Sequence, residues 1–273
     1  MVPIKIRTMS DNAYVIINAD DFGMNAVVNH AILKSFNEGL STSTTMLVNL
    51  EGFDEACTLA SDDLLRDRVG LHVNLTEGAP LTDGIKKIPL FCDSEGNYVF
   101  RKNQKRILHL DPEHRRIVYK EIEAQIRKCR KAGINISHAD SHNHMHEEPG
   151  LIPIFISALK ANDIPYLRRV KDMSYHSTLV KKLFRKVCNS MIALNRLSGV
   201  DYFGTIDEYV NARRQGMLKK GSITEIMVHP GRIENGKIVD VCTGQILSDV
   251  VVRELAHEHK IGYRDAGKAA GLR

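Results

Sequence analysis

Two adjacent carboxylates follow a hydrophobic run near the start of the 273-residue chain, in the stretch VIINADDFGMN. A charge left unpaired at the end of a buried strand is costly, so two of them predict a bound group or a reaction. Consecutive strand residues face opposite sides, so Asp20 and Asp21 can share one site only if the strand stops between them, and Phe22-Gly23 offers a bend. One carboxylate could then bind a cation while the other stays free as a base. The alternative, that both cap a helix starting near Asn25, accounts for only one of them.

Histidines are dense in the stretch HADSHNHMH. On a strand, His138, Asp140 and His142 share one face, which becomes more polar toward its C-terminal end. Barrel enzymes assemble their sites at that end, whereas a structural strand would stay apolar. His144 and His146 follow and are expected on the loop beyond the strand, because five groups on one line cannot reach one ion. The density favours a metal site over hydrogen-bonded core histidines.

Two further histidines occur at predicted strand ends. In VGLHVNLTEG, His72 shares a face with Asn74 and Thr76, although a lone histidine there is more often a hydrogen-bonded core residue. In TEIMVHPG, His229 comes just before Pro230-Gly231, which ends the strand. Both imidazoles are therefore expected at the same mouth as the carboxylates.

Short apolar runs alternate with amphipathic stretches along the whole chain, a pattern typical of repeated βα units. The predicted strands are Tyr14–Ala19, Thr44–Asn49, Gly70–Leu75, Ile134–Asp140, Tyr166–Val170, Val200–Thr205 and Ile223–Val228. Between two of them a helix is expected to open at Asp111-Pro112-Glu113 and to close at Gly133. Seven such units favour a distorted, TIM-like (β/α) barrel over an open doubly wound sheet. The chain is interpreted as one domain, 1–273.

The segment 79–110 interrupts this rhythm, because it has no clear helix and contains a hairpin signal at Asp93-Ser94-Glu95-Gly96-Asn97. Connections of this length without secondary structure of their own are often functional. Since the segment follows the strand of His72, it is predicted to be a lid insertion over the mouth.

Composition narrows the class of protein. The formal net charge is +5, and its basic runs look helical and solvated, which argues against a nucleic-acid partner. Five cysteines form no CxxC pair and predict reduced thiols. No signal-peptide core and no apolar run of ~18 residues is found, so a cytoplasmic protein without a membrane partner is expected.

Five motifs together resemble a known family, the YdjC-like carbohydrate deacetylases, which include chitooligosaccharide deacetylases. These motifs are NADDFG (18–23), STSTTMLVN (41–49), GLHVNLTEGAPL (70–81), HADSHNHMH (138–146) and MVHPG (227–231). The resemblance implies removal of an acetyl group from an N-acetylated amino sugar or short oligosaccharide. It also implies a divalent metal ion bound by Asp21, His72 and His142. By analogy with NodB-type polysaccharide deacetylases, it implies Asp20 as the base and His229 as the acid or its partner.

The resemblance also places Arg168 after the next strand, as a substrate-binding candidate or, alternatively, a surface residue flanking a helix. Asn74 is a second such candidate. The chain has no tryptophan, so the lid aromatics Phe91 and Tyr98 are candidates for stacking on a sugar, or else pack the lid's own core.

The identity of the metal ion stays open at this point. Two imidazoles favour zinc, iron, cobalt or nickel over magnesium, whereas family members are often described with magnesium. Two other functions also remain: a metal-dependent phosphoesterase or amidohydrolase acting on a small sugar metabolite, and a non-catalytic sugar-binding protein. The oligomeric state is not specified, and a homodimer is compatible with the sequence.

Overall fold

The computed structural model describes residues 13–99, 109–173 and 178–271. Its strands are Tyr14–Phe22 (β1), Ser43–Met46 (β2), Val69–Val73 (β3), Ala139–Ser141 (β4), Tyr202–Gly204 (β5), Ile223–Val228 (β6), Pro230–Glu234 (β7), Lys237–Asp240 (β8) and His259–Lys260 (β9). Its α-helices are Ala26–Asn37 (α1), Phe53–Ala60 (α2), Asp83–Lys86 (α3), Pro112–Lys131 (α4), Ile152–Ala161 (α5), Leu179–Leu194 (α6), Ile206–Arg214 (α7), Leu247–Leu255 (α8) and Tyr263–Gly271 (α9). A 3₁₀ turn spans His142–Glu147.

Seven of the nine described strands form one parallel sheet in the order β4-β3-β2-β1-β6-β5, with β9 paired to the start of β1, and β7 and β8 form a separate antiparallel hairpin. The sheet curls into a half-barrel, which confirms the predicted distorted (β/α) barrel. Its outer strands approach each other through the segment after α5, where Leu167 bridges to Ala139 of β4 and Asp172 N–H donates to the carbonyl of Phe203 in β5. The carboxyl ends of the strands therefore surround a common mouth.

The central strand β1 is covered by other parts of the protein on both of its faces. Val15, Ile16 and Ile17 are all fully buried, so both faces of the strand lie in the core, as is usual in a parallel sheet. Helix α1 starts where the Asn25 side chain accepts a hydrogen bond from the N–H of Val28. Helix α4 is capped at its N-terminus by Asp111, has Pro112 in its first turn and ends before Gly133, as predicted.

Some predicted strand bounds were wrong. β1 runs on to Phe22, and β4 begins only at Ala139. The predicted strand Tyr166–Val170 forms a single bridge at Leu167, because the N–H of Val170 donates to the Asn189 side chain instead of to a neighbouring strand. The hairpin β7–β8 and the short strand β9 were not predicted.

The described part of the segment 79–110 contains α3 and the predicted turn. Asp93 N–H donates to the carbonyl of Asn97, and Cys92 bridges to Tyr98. Phe91 is fully buried and Tyr98 is 5% exposed, so the structure packs both rings into the core, as the packing alternative has it. Residues 100–108 lie outside the described residues. Within the described ranges, no helix is long and apolar enough to cross a membrane.

Candidate active site at the mouth of the half-barrel

A bulge near the end of β1 separates the two aspartates. The register between β1 and β2 shifts between Ala19 and Phe22, so three steps on β1 match two on β2 and one residue is extra. Asp21 adopts the left-handed conformation, with φ 73°. The predicted stop of the strand between the two aspartates is therefore wrong, because the bulge re-aims Asp21 while the strand continues. Gly23 follows with φ 92°, where a Cβ atom would lie 2.5 Å from the carbonyl oxygen of Leu47.

Asp21, His72 and His142 come together at the mouth, although they lie on three separate elements. Asp21 Oδ1 is 3.2 Å from His72 Nε2 and 2.8 Å from His142 Nδ1. One ligand atom from each residue lies within 4.8 Å of the others. Two imidazoles and one carboxylate converging in this way form a donor set suited to a divalent transition metal ion.

Each imidazole is oriented by a second carboxylate. Asp140 Oδ1 lies 2.6 Å from His72 Nδ1, which turns Nε2 toward Asp21, and Glu77 Oε2 lies 2.7 Å from His142 Nε2. Carboxylates that fix the ring of a metal-ligating histidine in this way are a recurrent feature of metal sites. Burial disfavours the charged form of His72, but the carboxylates of Asp140, Asp21 and Asp20 together outweigh burial and raise the pKa of His72 to about 10.

Asp20 lies deeper and has different partners. Its side chain is 3% exposed, and both of its oxygens accept hydrogen bonds from Arg168, over 2.7 and 2.6 Å. Asn18 donates a third hydrogen bond over 2.8 Å. Burial alone would raise the pKa of Asp20, yet the Arg168 guanidinium holds it well below the usual range. Asp20 is therefore a fixed, ionised carboxylate beside the cluster of Asp21 and the two histidines.

Arg168 is fully buried and is surrounded by three carboxylates. Besides Asp20, it contacts Asp140 over 2.7 Å and Glu225 over 2.8 Å. Glu225 in turn accepts a hydrogen bond of 2.5 Å from the hydroxyl of Tyr263 in α9. None of its surface is exposed, so in this structure Arg168 holds carboxylates, and its contact with a substrate stays a prediction. The alternative of a surface residue is wrong.

His229 stands at the end of β6, on the side of Asp20. Its Nε2 atom lies 4.0 Å from Asp20 Oδ2, and its backbone N–H donates to Asp240 over 2.7 Å. Burial disfavours the imidazolium, but contact with the Cys242 thiol and the charge of Asp20 outweigh it and raise the pKa of His229 to about 9. At neutral pH this imidazole carries a proton that it can give away.

A family model described as YdjC-like protein matches residues 14–261. The chain belongs to this family. A relative from Brevibacillus brevis, named carbohydrate deacetylase, is 36% identical over 90% of this chain and 96% of its own length. A carbohydrate deacetylase from Geobacillus stearothermophilus is 28% identical over 89% of this chain and 88% of its own. A crystal structure from Enterococcus faecalis V583 matches with a TM-score of 0.67, covering 93% of this chain and 98% of that one; at 20% identity it supports the fold alone.

In this YdjC-like chain, Asn74, His138 and His146 contact other groups of the protein, and a contact of Asn74 with substrate stays a prediction. Asn74 is fully buried, and its side-chain oxygen accepts hydrogen bonds from the backbone of Thr76 and Glu77, so it shapes the loop after β3. His138 is a core residue stacked on Tyr263, with ring centroids 3.7 Å apart. His146 lies beyond the cluster, with its Nδ1 atom 2.6 Å from the Ser141 hydroxyl.

Sequence reasoning assigned no role to several groups of the site. Asp140 was placed on the correct face of its strand, and alternation along TEIMV could have shown that Glu225 points into the barrel. The contribution of Tyr263 had no such signal, because only the fold brings α9 under the sheet. Glu77 belongs to the quoted GLHVNLTEGAPL motif, but its contact with His142 depends on the turn that Asn74 holds.

Proposed function

We propose that this chain is a metal-dependent carbohydrate deacetylase that removes the acetyl group from N-acetylated amino sugars or short oligosaccharides of the chitooligosaccharide type. The observation that carries the proposal is the division between the two aspartates. Asp21 faces two imidazoles, whereas Asp20 is held ionised by Arg168 within reach of His229. A hydrolase of this kind needs both a cation-binding carboxylate and a separate base.

The donor set of Asp21, His72 and His142 fits a divalent cation. It has three protein ligands, as catalytic sites do, which would leave coordination positions for water and substrate. Asp140 and Glu77 already orient the two rings. Two imidazoles favour zinc, iron, cobalt or nickel over magnesium, and metal analysis of the purified protein would decide. When bound, such an ion would supply Lewis-acid stabilisation of the negative charge that develops on the acetyl carbonyl oxygen.

The protein's own groups supply the proton transfers. As a water oxygen bonds to the acetyl carbon, Asp20 accepts the water's proton, and Arg168 keeps the carboxylate ionised and fixed for that task. When the carbon–nitrogen bond breaks, His229 donates its proton to the leaving amine nitrogen. The raised pKa of His229 keeps its imidazole protonated at neutral pH. The products are acetate and a free amino sugar.

The test is a substrate screen on metal-stripped and metal-loaded protein. N-acetylglucosamine, chitobiose and chitotriose are assayed for acetate release, and p-nitrophenyl phosphate is assayed for phosphate release. Acetate from at least one sugar, lost on chelation and restored by metal, is the expected result. Phosphate release alone would indicate the phosphoesterase alternative, and sugar binding without turnover would indicate a sugar-binding protein.

We also propose a cytoplasmic location. All five cysteines are free thiols, and three of them are buried. Reduced thiols of this number are typical of the cytoplasm. Trapping the thiols with an alkylating reagent during lysis, followed by mass spectrometry, would reveal any disulfide.

A further inference from the structure

Helix α6 (Leu179–Leu194) carries an unusual concentration of exposed aliphatic side chains. Of the ten large hydrophobic side chains exposed among the described residues, five lie on this one helix. They are Leu179 (83% exposed), Val180 (78%), Leu183 (65%), Val187 (51%) and Leu194 (84%). At 100° per residue these five side chains fall on one side of the helix. Its opposite side, with Cys188 and Ile192, packs on the barrel.

The charges of α6 are all of one sign. The helix contains Lys181, Lys182, Arg185 and Lys186 and no acidic residue. Helical spacing puts Lys182 and Lys186 along one edge of the aliphatic face. The same two lysines line an open cleft between α6 and the barrel, together with Arg169, Asp172, Arg185, Asn189, Gln215 and Met217. An aliphatic face therefore adjoins a concave, mainly basic surface.

The other long amphipathic helix, α4, shows that this pattern is not general in the chain. Helix α4 is also basic, but it mixes in Glu113, Glu121 and Glu123 and has no large hydrophobic side chain among the exposed ones. Its apolar residues all meet the core or its edge. Monomeric proteins rarely expose a contiguous apolar patch without a partner for it.

We propose that α6 lies on the surface of an anionic lipid membrane, with its aliphatic side chains at the boundary of headgroups and acyl chains and its lysines on the lipid phosphates. Basic amphipathic helices with this division bind membranes in that way. The basic cleft beside the helix is placed to receive headgroups. This revises the expectation of no membrane partner, and it describes a helix that lies on a membrane and does not span it, since four charges in 16 residues exclude spanning.

Charge also argues against a second copy of the chain as the occupant. Two α6 helices packed face to face would bring two rows of lysine and arginine together with no carboxylate on either helix to neutralise them. The exposed side chains are convex and aliphatic, whereas protein interfaces are centred on aromatic and arginine anchors seated in pockets. A soft anionic surface satisfies both the apolar face and the charge.

The experiment is co-sedimentation of the full chain with vesicles of phosphatidylcholine alone or mixed with phosphatidylglycerol, at physiological salt. Two test variants are compared with the unaltered chain: Leu183→Ser with Val187→Ser, and Lys182→Glu with Lys186→Glu. Each has a matched control. Val27→Ser with Val252→Ser removes two aliphatic side chains that are 58% and 61% exposed on α1 and α8, and Lys120→Glu with Lys131→Glu makes the same charge change on α4.

Binding to the phosphatidylglycerol vesicles should be at least tenfold stronger than to phosphatidylcholine alone. Each α6 variant should weaken it at least tenfold, while both controls stay within twofold. Circular dichroism checks that every variant is folded. The proposal is overturned if the unaltered chain does not bind anionic vesicles or if the controls weaken binding as much as the α6 variants. It is also overturned if light scattering finds a stable dimer that Leu183→Ser with Val187→Ser dissociates.

Discussion

Asp20 and Asp21 are neighbours of the same residue type, yet the fold gives them opposite surroundings. Asp20 is almost fully buried and receives three hydrogen bonds from Arg168 and Asn18, whereas Asp21 has 14% of its side chain exposed and faces His72 and His142 at the mouth. A one-residue bulge with Asp21 in the left-handed conformation makes the difference. Backbone geometry, and not residue type, thus gives the two carboxylates the different surroundings that the proposed roles of base and ligand require.

The largest expected effect concerns His229, which lies on the Asp20 side of this division. His229→Gln should lower kcat by roughly 10²–10⁴, the usual contribution of a positioned general acid, and leave metal content unchanged. Because the pKa of His229 is raised to about 9, the donor is protonated below that pH and is lost above it. The unaltered enzyme should therefore lose activity as pH rises through about 9. The variant should lack that limb in a pH series of kcat, and an unchanged limb would exclude His229 as the donor.

Next comes Arg168, on which the ionised state of Asp20 depends. Arg168→Met leaves three buried carboxylates without their counter-charge and should lower the free energy of unfolding by about 3–5 kcal/mol. Arg169→Met is the matched control. Among the described residues Arg169 forms an ion pair with one carboxylate, Asp172, and both side chains are about one-fifth exposed, so the loss should be smaller than for Arg168. Urea denaturation measures the free energy of unfolding of both variants. Equal losses would mean that Arg168 and its carboxylates stabilise the fold no more than the Arg169–Asp172 pair does.

Asp140 belongs to both parts of the site, because it contacts Arg168, the partner of Asp20, and orients His72, the neighbour of Asp21. Asp140→Asn keeps the shape but weakens the hydrogen bond to His72 Nδ1, and metal affinity should fall about 10- to 100-fold. Isothermal titration of the stripped protein with zinc measures this affinity. If it is unchanged, the ring of His72 is held by other contacts, such as the Thr45 hydroxyl at 3.1 Å.

The smallest effect is expected at Tyr263, the last member of the chain of contacts below Asp20. Tyr263→Phe leaves Glu225 without one hydrogen bond and should lower the free energy of unfolding by roughly 1–3 kcal/mol. Tyr166→Phe alters a half-buried ring next to Tyr263 and is the control, expected to stay near zero. Urea denaturation of both variants would reveal whether Tyr263 acts through its hydroxyl, and no difference between them would exclude such a role.

Local patterns in the sequence predicted most of the barrel. Alternation marked the faces of the strands that carry His72 and Asp140, and cap residues marked both ends of α4. The bulge at Asp21 could not be predicted, because a bend at Phe22-Gly23 would account equally well for the different directions of the two aspartates. The carboxylate cluster around Arg168 was also missed, since its members come from β1, β4, β6 and the segment after α5, and only the curled sheet brings them within hydrogen-bond distance.

Phe91 and Tyr98 show a second limit of prediction from the sequence. Aromatic residues in a long connection suit either a sugar platform or a small core, and composition does not decide between them. Both rings are buried in the structure, which favours the small core. Their position relative to the mouth is set by contacts of the segment with α4, such as the bonds from Thr82 to Glu121, which lie 39 residues apart in the chain.

The division between the two aspartates is tested most directly by metal content and kcat measured together on Asp20→Asn and Asp21→Asn. Asp20→Asn should keep its metal ion by elemental analysis and lose roughly 10²–10⁴ in kcat on the best acetylated sugar. Asp21→Asn replaces a charged ligand with a weak neutral one and should lose both metal and activity. The reverse result, with Asp20→Asn metal-free and Asp21→Asn metal-loaded but inactive, would contradict the assignment and exchange the two roles.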